Sequence, residues 1–170
     1  MTAILAVKQA PFDAMVTTLR RFVEMVCNLI IRVVCPNRNL APRDALEATG
    51  RVLYVDNEVV NNMPRGEGDR SEVVFFKLDL SERGGYISDD DLGQEYELRG
   101  LKPADPYSLA RANQDDPSFG DSYPNATHWK NKAGKWCFAT FGGWRYGRFI
   151  LVDRRGHRWL DDWWFAGLRK

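Results

Sequence analysis

No tryptophan occurs before residue 129, and the 170 residues hold only two histidines and three cysteines. Those scarcities exclude a good deal. There is no CxxC pair and too little histidine to build a structural zinc site. Cys27, Cys35 and Cys137 are odd in number, and two of them lie in an apolar run. A disulfide framework is therefore not expected, and reduced thiols in a cytoplasmic setting are. The first ten residues, MTAILAVKQA, lack the basic start and cleavage pattern of a secretory signal. No P-loop, dinucleotide fingerprint, nucleophile elbow or zinc-protease helix is present. Repeats and low-complexity tracts are also missing.

Charge of one sign is missing too: the net charge is +1. The balance is uneven along the chain, however. Residues 128–170 carry ten Lys/Arg against three Asp, a net +7, which leaves −6 for residues 1–127. The acidic excess concentrates in residues 67–121, with fourteen acidic and six basic residues. Such asymmetry marks either a bipolar surface or two parts that neutralise each other across the fold.

Enough apolar residue is present, 44%, for a core without staples, and the length suits one domain over 1–170. Residues 12–35, FDAMVTTLRRFVEMVCNLIIRVVC, read as one long amphipathic helix. Polar residues recur at Thr17, Arg20, Arg21, Glu24, Asn28 and Arg32, at spacings of three and four. Such a helix would run about 36 Å. Its mid-segment charges each cost about 2.5–3.5 kcal/mol in a bilayer, so no membrane span is expected. Its broad apolar face is instead expected to cover a sheet, with enough surplus for a partner protein or a homodimer.

Residues 51–80 hold two strands, RVLYVD and EVVFFKLDL, separated by a polar loop. Residues 88–113 read as acidic short helices. Ser88 stands as a cap before Asp89, Asp90 and Asp91, and Asp105 as a cap before Pro106.

The tryptophan-rich stretch 128–170 reads as three successive strands, KWCFATF, RFILVD and RWLDDWWF, joined by glycine-bearing turns. Short connections predict a three-stranded antiparallel meander. The expected fold class is thus α+β: an antiparallel sheet ending in this meander, packed on the long N-terminal helix. Most of the tryptophans are expected in the core, with Trp129 and Trp144 in looser, loop-like context.

A meander places its first and third connections at one end of the sheet. That would gather Lys130, Lys132 and Lys135 with Arg154, Arg155, His157 and Arg158, and leave Trp144 at the opposite end. Cations beside stacking-capable rings are what single-stranded nucleic acid requires. The expectation is a non-catalytic binding protein whose basic end takes nucleic acid or an acidic protein surface, with no cofactor and no metal.

Two alternatives compete. One is a protein–protein interaction or inhibitor protein, of the viral or mobile-element type that blocks a host complex, using the apolar face of the N-terminal helix. The other is a metal-dependent hydrolase built on Asp89–Asp91, Asp115–Asp116 or Asp161–Asp162. Cys137 with His128 or His157 could be read as a thiolate pair. Its apolar strand context suits a small hydrophobe better.

Overall fold

The computed structural model describes residues 28–145, 147–154 and 158–170. They form a mixed α/β fold: one sheet of eight strands, a separate two-stranded sheet and five short α-helices. The strands are β1 (Leu29–Val34), β2 (Val52–Val55), β3 (Ser71–Lys77), β4 (Tyr86–Ile87), β5 (Leu101–Pro103), β6 (Asn125–Lys130), β7 (Trp136–Trp144), β8 (Gly147–Asp153), β9 (Trp159–Leu160) and β10 (Trp164–Arg169). The helices are α1 (Pro42–Glu47), α2 (Asn57–Asn61), α3 (Asp89–Leu98), α4 (Pro106–Asp115) and α5 (Phe119–Ser122). The large sheet runs β1-β3-β10-β6-β7-β8-β2, with β5 also paired to β10.

Local signals account for the helices. Ser88 Oγ accepts from the Asp91 N–H at the start of α3, and the Asp105 carboxylate accepts from the Ser108 N–H at the start of α4. Pro106 supplies the fixed φ that suits the first position of α4. Asp56 caps α2 through the N–H groups of Glu58 and Val59.

Both faces of the sheet are covered. On one, Leu46, Val60, Leu109, Ala112 and Phe119 from α1, α2, α4 and α5 pack on Phe75, Ala139, Phe141, Ile150 and Val152. On the other, Leu92 and Tyr96 of α3, Ile87 of β4 and Trp159 of β9 pack on Val74, Phe76, Ala126, Phe138 and Phe165. The alternation of inward and outward residues along β6–β8 serves two cores at once, which is why Phe149–Val152 shows no polar face.

Three expectations are corrected. The long helix does not reach residue 35: Leu29–Val34 is strand β1, antiparallel to β3 from Leu29↔Phe76 to Val34↔Ser71. Ile30, Ile31, Val33 and Val34 are β-branched, and the free edge of β3 offers them a ladder that a helix cannot. The rest of that predicted helix, residues 12–27, lies outside the described residues.

The sheet is mixed, not antiparallel: β2 lies parallel to β8, and β10 parallel to β6. The C-terminal meander stops after its first hairpin. β7 and β8 are antiparallel neighbours, but the residues predicted as the third strand divide at Asp161-Asp162, an exposed turn. Trp159 enters the two-stranded sheet with β4, and β10 inserts between β3 and β6 in the middle of the large sheet. Gly167 suits that central place. A Cβ there would lie 3.0 Å from the Leu101 side chain and 3.2 Å from the Tyr96 ring.

Candidate anion-binding cleft

The turn between β6 and β7 is built by one side chain. Asn131 Oδ1 accepts from the N–H groups of Ala133 (3.0 Å) and Lys135 (2.9 Å), and Gly134 takes a φ of 74°. This fixes Lys132 and Ala133 at the tip. Facing them is α2, which presents Glu58, with Asn62 just past its end. Arg154, just past β8, closes the side. Together with Val59, Trp129, Asn131 and Cys137 these residues line a cleft of about 240 Å³. That is below the roughly 300–1,000 Å³ of small-molecule pockets.

Arg154 is held from two sides. Its Nε donates to Asp56 Oδ2 at 2.9 Å, and its Nη2 to Glu58 Oε2 at 2.7 Å. Those two hydrogen bonds raise the guanidinium pKa above its ordinary value. The hydrogen bond from Arg154 in turn holds the Asp56 carboxyl below the usual carboxylate range, aided by the N–H groups of Val59 and Glu58. Nη1 makes no hydrogen bond among the described residues, so the group is fixed in place with donors left over. Lys132 and Lys135 are exposed, and no carboxylate among the described residues pairs with either. At the floor, Cys137 is 1% exposed and burial pushes its thiol pKa up. That suits the inert, hydrophobe-like reading of this cysteine and not a thiolate nucleophile.

The basic end expected from the sequence is therefore divided. Lys132 and Arg154 share the cleft, with Lys135 on the same turn. Lys130 points to the other face of the sheet, 3.5 Å from Asp90 and 4.5 Å from the centroid of the Trp136 ring. Arg158 lies 4.7 Å over the Tyr86 ring, beside the two-stranded sheet. Arg155 and His157 lie outside the described residues. Trp144, at the far end of β7, is 69% exposed and leans on Phe149 with ring centroids 4.2 Å apart. Of the other tryptophans, Trp159 is fully buried and Trp129, Trp136, Trp163 and Trp164 are half-buried.

Three of the acidic residues weighed as metal ligands have other partners. Asp89 accepts from His128 and Trp159, Asp90 faces Lys130 and Trp136, and Asp116 pairs with Arg32. Among the described residues no group of three or more His, Cys, Asp or Glu is placed to hold a metal ion. Also among the described residues, no helix is long and apolar enough to cross a membrane. The sequon Asn125-Ala126-Thr127 is buried, so its asparagine is closed to a glycan.

Glu58 and Asn62 were not legible as site residues in the sequence. Their signal was Asp56 ahead of Asn57-Glu58, a helix start, which places Glu58 in the first turn of one short helix and Asn62 at its C-cap. No protein-family model matches the chain, and neither a curated protein nor a solved structure matches it.

Proposed function

We propose that this is a non-catalytic binding protein that takes single-stranded nucleic acid at the β6–β7 turn and its cleft. The observation that carries the reading is the convergence of Lys132 and the braced Arg154 guanidinium on one cleft that also exposes part of the Trp129 indole. A phosphate would be met by Lys132, Lys135 and the spare Arg154 donors, and a neighbouring base by the indole. Arg158, over the Tyr86 ring beside the two-stranded sheet, stands apart from this cleft. Lys130 contributes less, being matched by Asp90. The two exposed lysines add to the reading, because no carboxylate among the described residues pairs with either.

Counterion release supplies the test. With Lys132 and Lys135 engaged, the slope of log affinity against log salt should be about −1.4 for a single strand. Fluorescence anisotropy of a labelled mixed-sequence oligonucleotide across a salt series measures it. Affinity that does not change with salt, or no binding at low salt, would overturn the proposal.

A further inference from the structure

Strand β2 closes one side of the large sheet, and no strand among the described residues pairs with its outer edge. The Asp56 N–H points inward and donates to the Val152 carbonyl at 2.8 Å. Backbone alternation then turns the N–H and C=O of Tyr54 and Val52 inward as well, and those of Leu53 and Val55 outward. The strand reads Val-Leu-Tyr-Val: it has no charge, no proline and no bulge, the usual guards of a sheet edge. Its side chains at Val52 and Tyr54 are 56% and 57% exposed. They share a face with Phe149 and Leu151 of β8, their register partners, and Trp144 leans on Phe149 beside them.

The strand is also held rigidly at both ends. At its start, the buried Arg51 donates to the carbonyls of Gly142 and Pro117, each at 2.8 Å. At its close, Asp56 is fixed by Arg154 and by the α2 backbone.

An ion-paired cluster stands at each end: Arg51, buried, and Arg148 with Asp121 at the first, and Asp56 and Glu58 with Arg154, beside Lys132, at the second. An antiparallel neighbour of the same sequence meets each end with the other.

We propose that a second copy of this chain docks along β2, antiparallel and about a two-fold axis, joining the two sheets into one. Leu53 faces Leu53 of the second copy as a hydrogen-bonded pair, using the outward polar groups of both. Val52 then faces Tyr54 of the other copy, twice, so the two exposed apolar strips become one. The two-fold also brings the Arg148 side of each copy toward the Glu58 side of the other. A closed, self-complementary contact of this kind consumes both β2 edges and leaves neither free for further growth.

Light scattering after size exclusion, across a dilution series, tests the proposal with the full chain. The wild type should show twice the monomer mass at micromolar concentration. The double variant Val52→Lys/Tyr54→Lys should show the monomer mass, because it places four lysines along the joint strip. Both positions are exposed, so its circular dichroism spectrum and thermal midpoint at dilution should match those of the wild type. A third variant, Asp56→Lys/Glu58→Lys, should weaken the dimer and be rescued in part by mixing with Arg148→Glu. A wild type that stays monomeric would overturn the proposal. A lysine double variant that folds and remains dimeric would overturn it equally.

Discussion

Nδ1 of His128 lies 2.9 Å from Oδ1 of Asp89, and both side chains are buried between α3 and the sheet. The same carboxylate oxygen accepts from the indole N–H of Trp159 at 2.9 Å. One acidic residue in the first turn of α3 therefore ties that helix to β6 and to β9. An ionised carboxylate only accepts, so the imidazole carries its proton on Nδ1. Trp136 stacks on the imidazole at 4.4 Å between centroids, and Tyr96 flanks it at 5.5 Å.

Asp89→Ala strands two buried donors, and each costs about 1–3 kcal/mol when unsatisfied. The loss should therefore exceed about 2 kcal/mol in urea unfolding followed by circular dichroism. Asp89→Asn retains an acceptor oxygen and should cost distinctly less. Equal stability of Asp89→Ala and wild type would mean that this carboxylate does not organise the α3 layer.

Acid should destabilise the protein through two named groups. The Asp56 carboxyl is held low chiefly by the Arg154 hydrogen bond, and the Asp116 carboxyl chiefly by the Ser118 hydroxyl and then by Arg32. Both titrate lower in the fold than in the unfolded chain, where an aspartate has a pKa of about 3.9. Their stabilisation is fully present above that value and is lost as the pH falls through the depressed folded values. The thermal midpoint of Asp56→Asn/Asp116→Asn should sit below wild type at neutral pH, and the two should converge in strong acid. A gap that does not close in acid would contradict the assignment.

Gly66 takes a φ of 71°, and a Cβ there would lie 2.7 Å from the Arg38 guanidinium and against the Asp105 carboxylate. Arg38 donates to Asp105 (2.7 Å), Ser71 (3.0 Å), Ser108 (3.1 Å) and the Gly68 carbonyl (2.8 Å), so it fastens the loop before β3 to the start of α4. Gly66→Ala therefore costs the left-handed backbone penalty of about 1–2 kcal/mol and displaces this network as well. Gly50, with a φ of 69° and open space around its Cβ, should cost only the backbone part. Denaturant midpoints of the two alanine variants should differ in that order.

What the sequence disclosed follows from how local each interaction is. Ser88 and Asp105 could be recognised as caps because their hydrogen bonds close within three residues. Lys132 and Arg154 could be placed together because both follow strands that run to the same end of the β6–β7–β8 unit. Leu29–Val34 could not be separated from the helical pattern before it, since a short apolar run suits either period until a partner strand is known. The side-by-side placement of β2 and β8 was equally hidden. It depends on Arg51, whose hydrogen bonds reach Gly142 and Pro117, 91 and 66 residues away. The insertion of β10 beside β6 needs the small residues Ala166 and Gly167 to fit beneath Tyr96 and Leu101, a condition of packing and not of pattern. Linear charge counts likewise cannot show that Asp90 meets Lys130, or that Asp56 and Glu58 meet Arg154.

Charge reversal at the β6–β7 turn tests the proposed binding role most directly. Lys132→Glu/Lys135→Glu alters exposed side chains outside the Arg154 brace, and its thermal midpoint should stay close to wild type. Oligonucleotide anisotropy at low salt should then show binding lost. Arg145→Glu at the opposite end of the hairpin should bind as the wild type does. A double variant that binds the oligonucleotide with unchanged affinity would contradict the account.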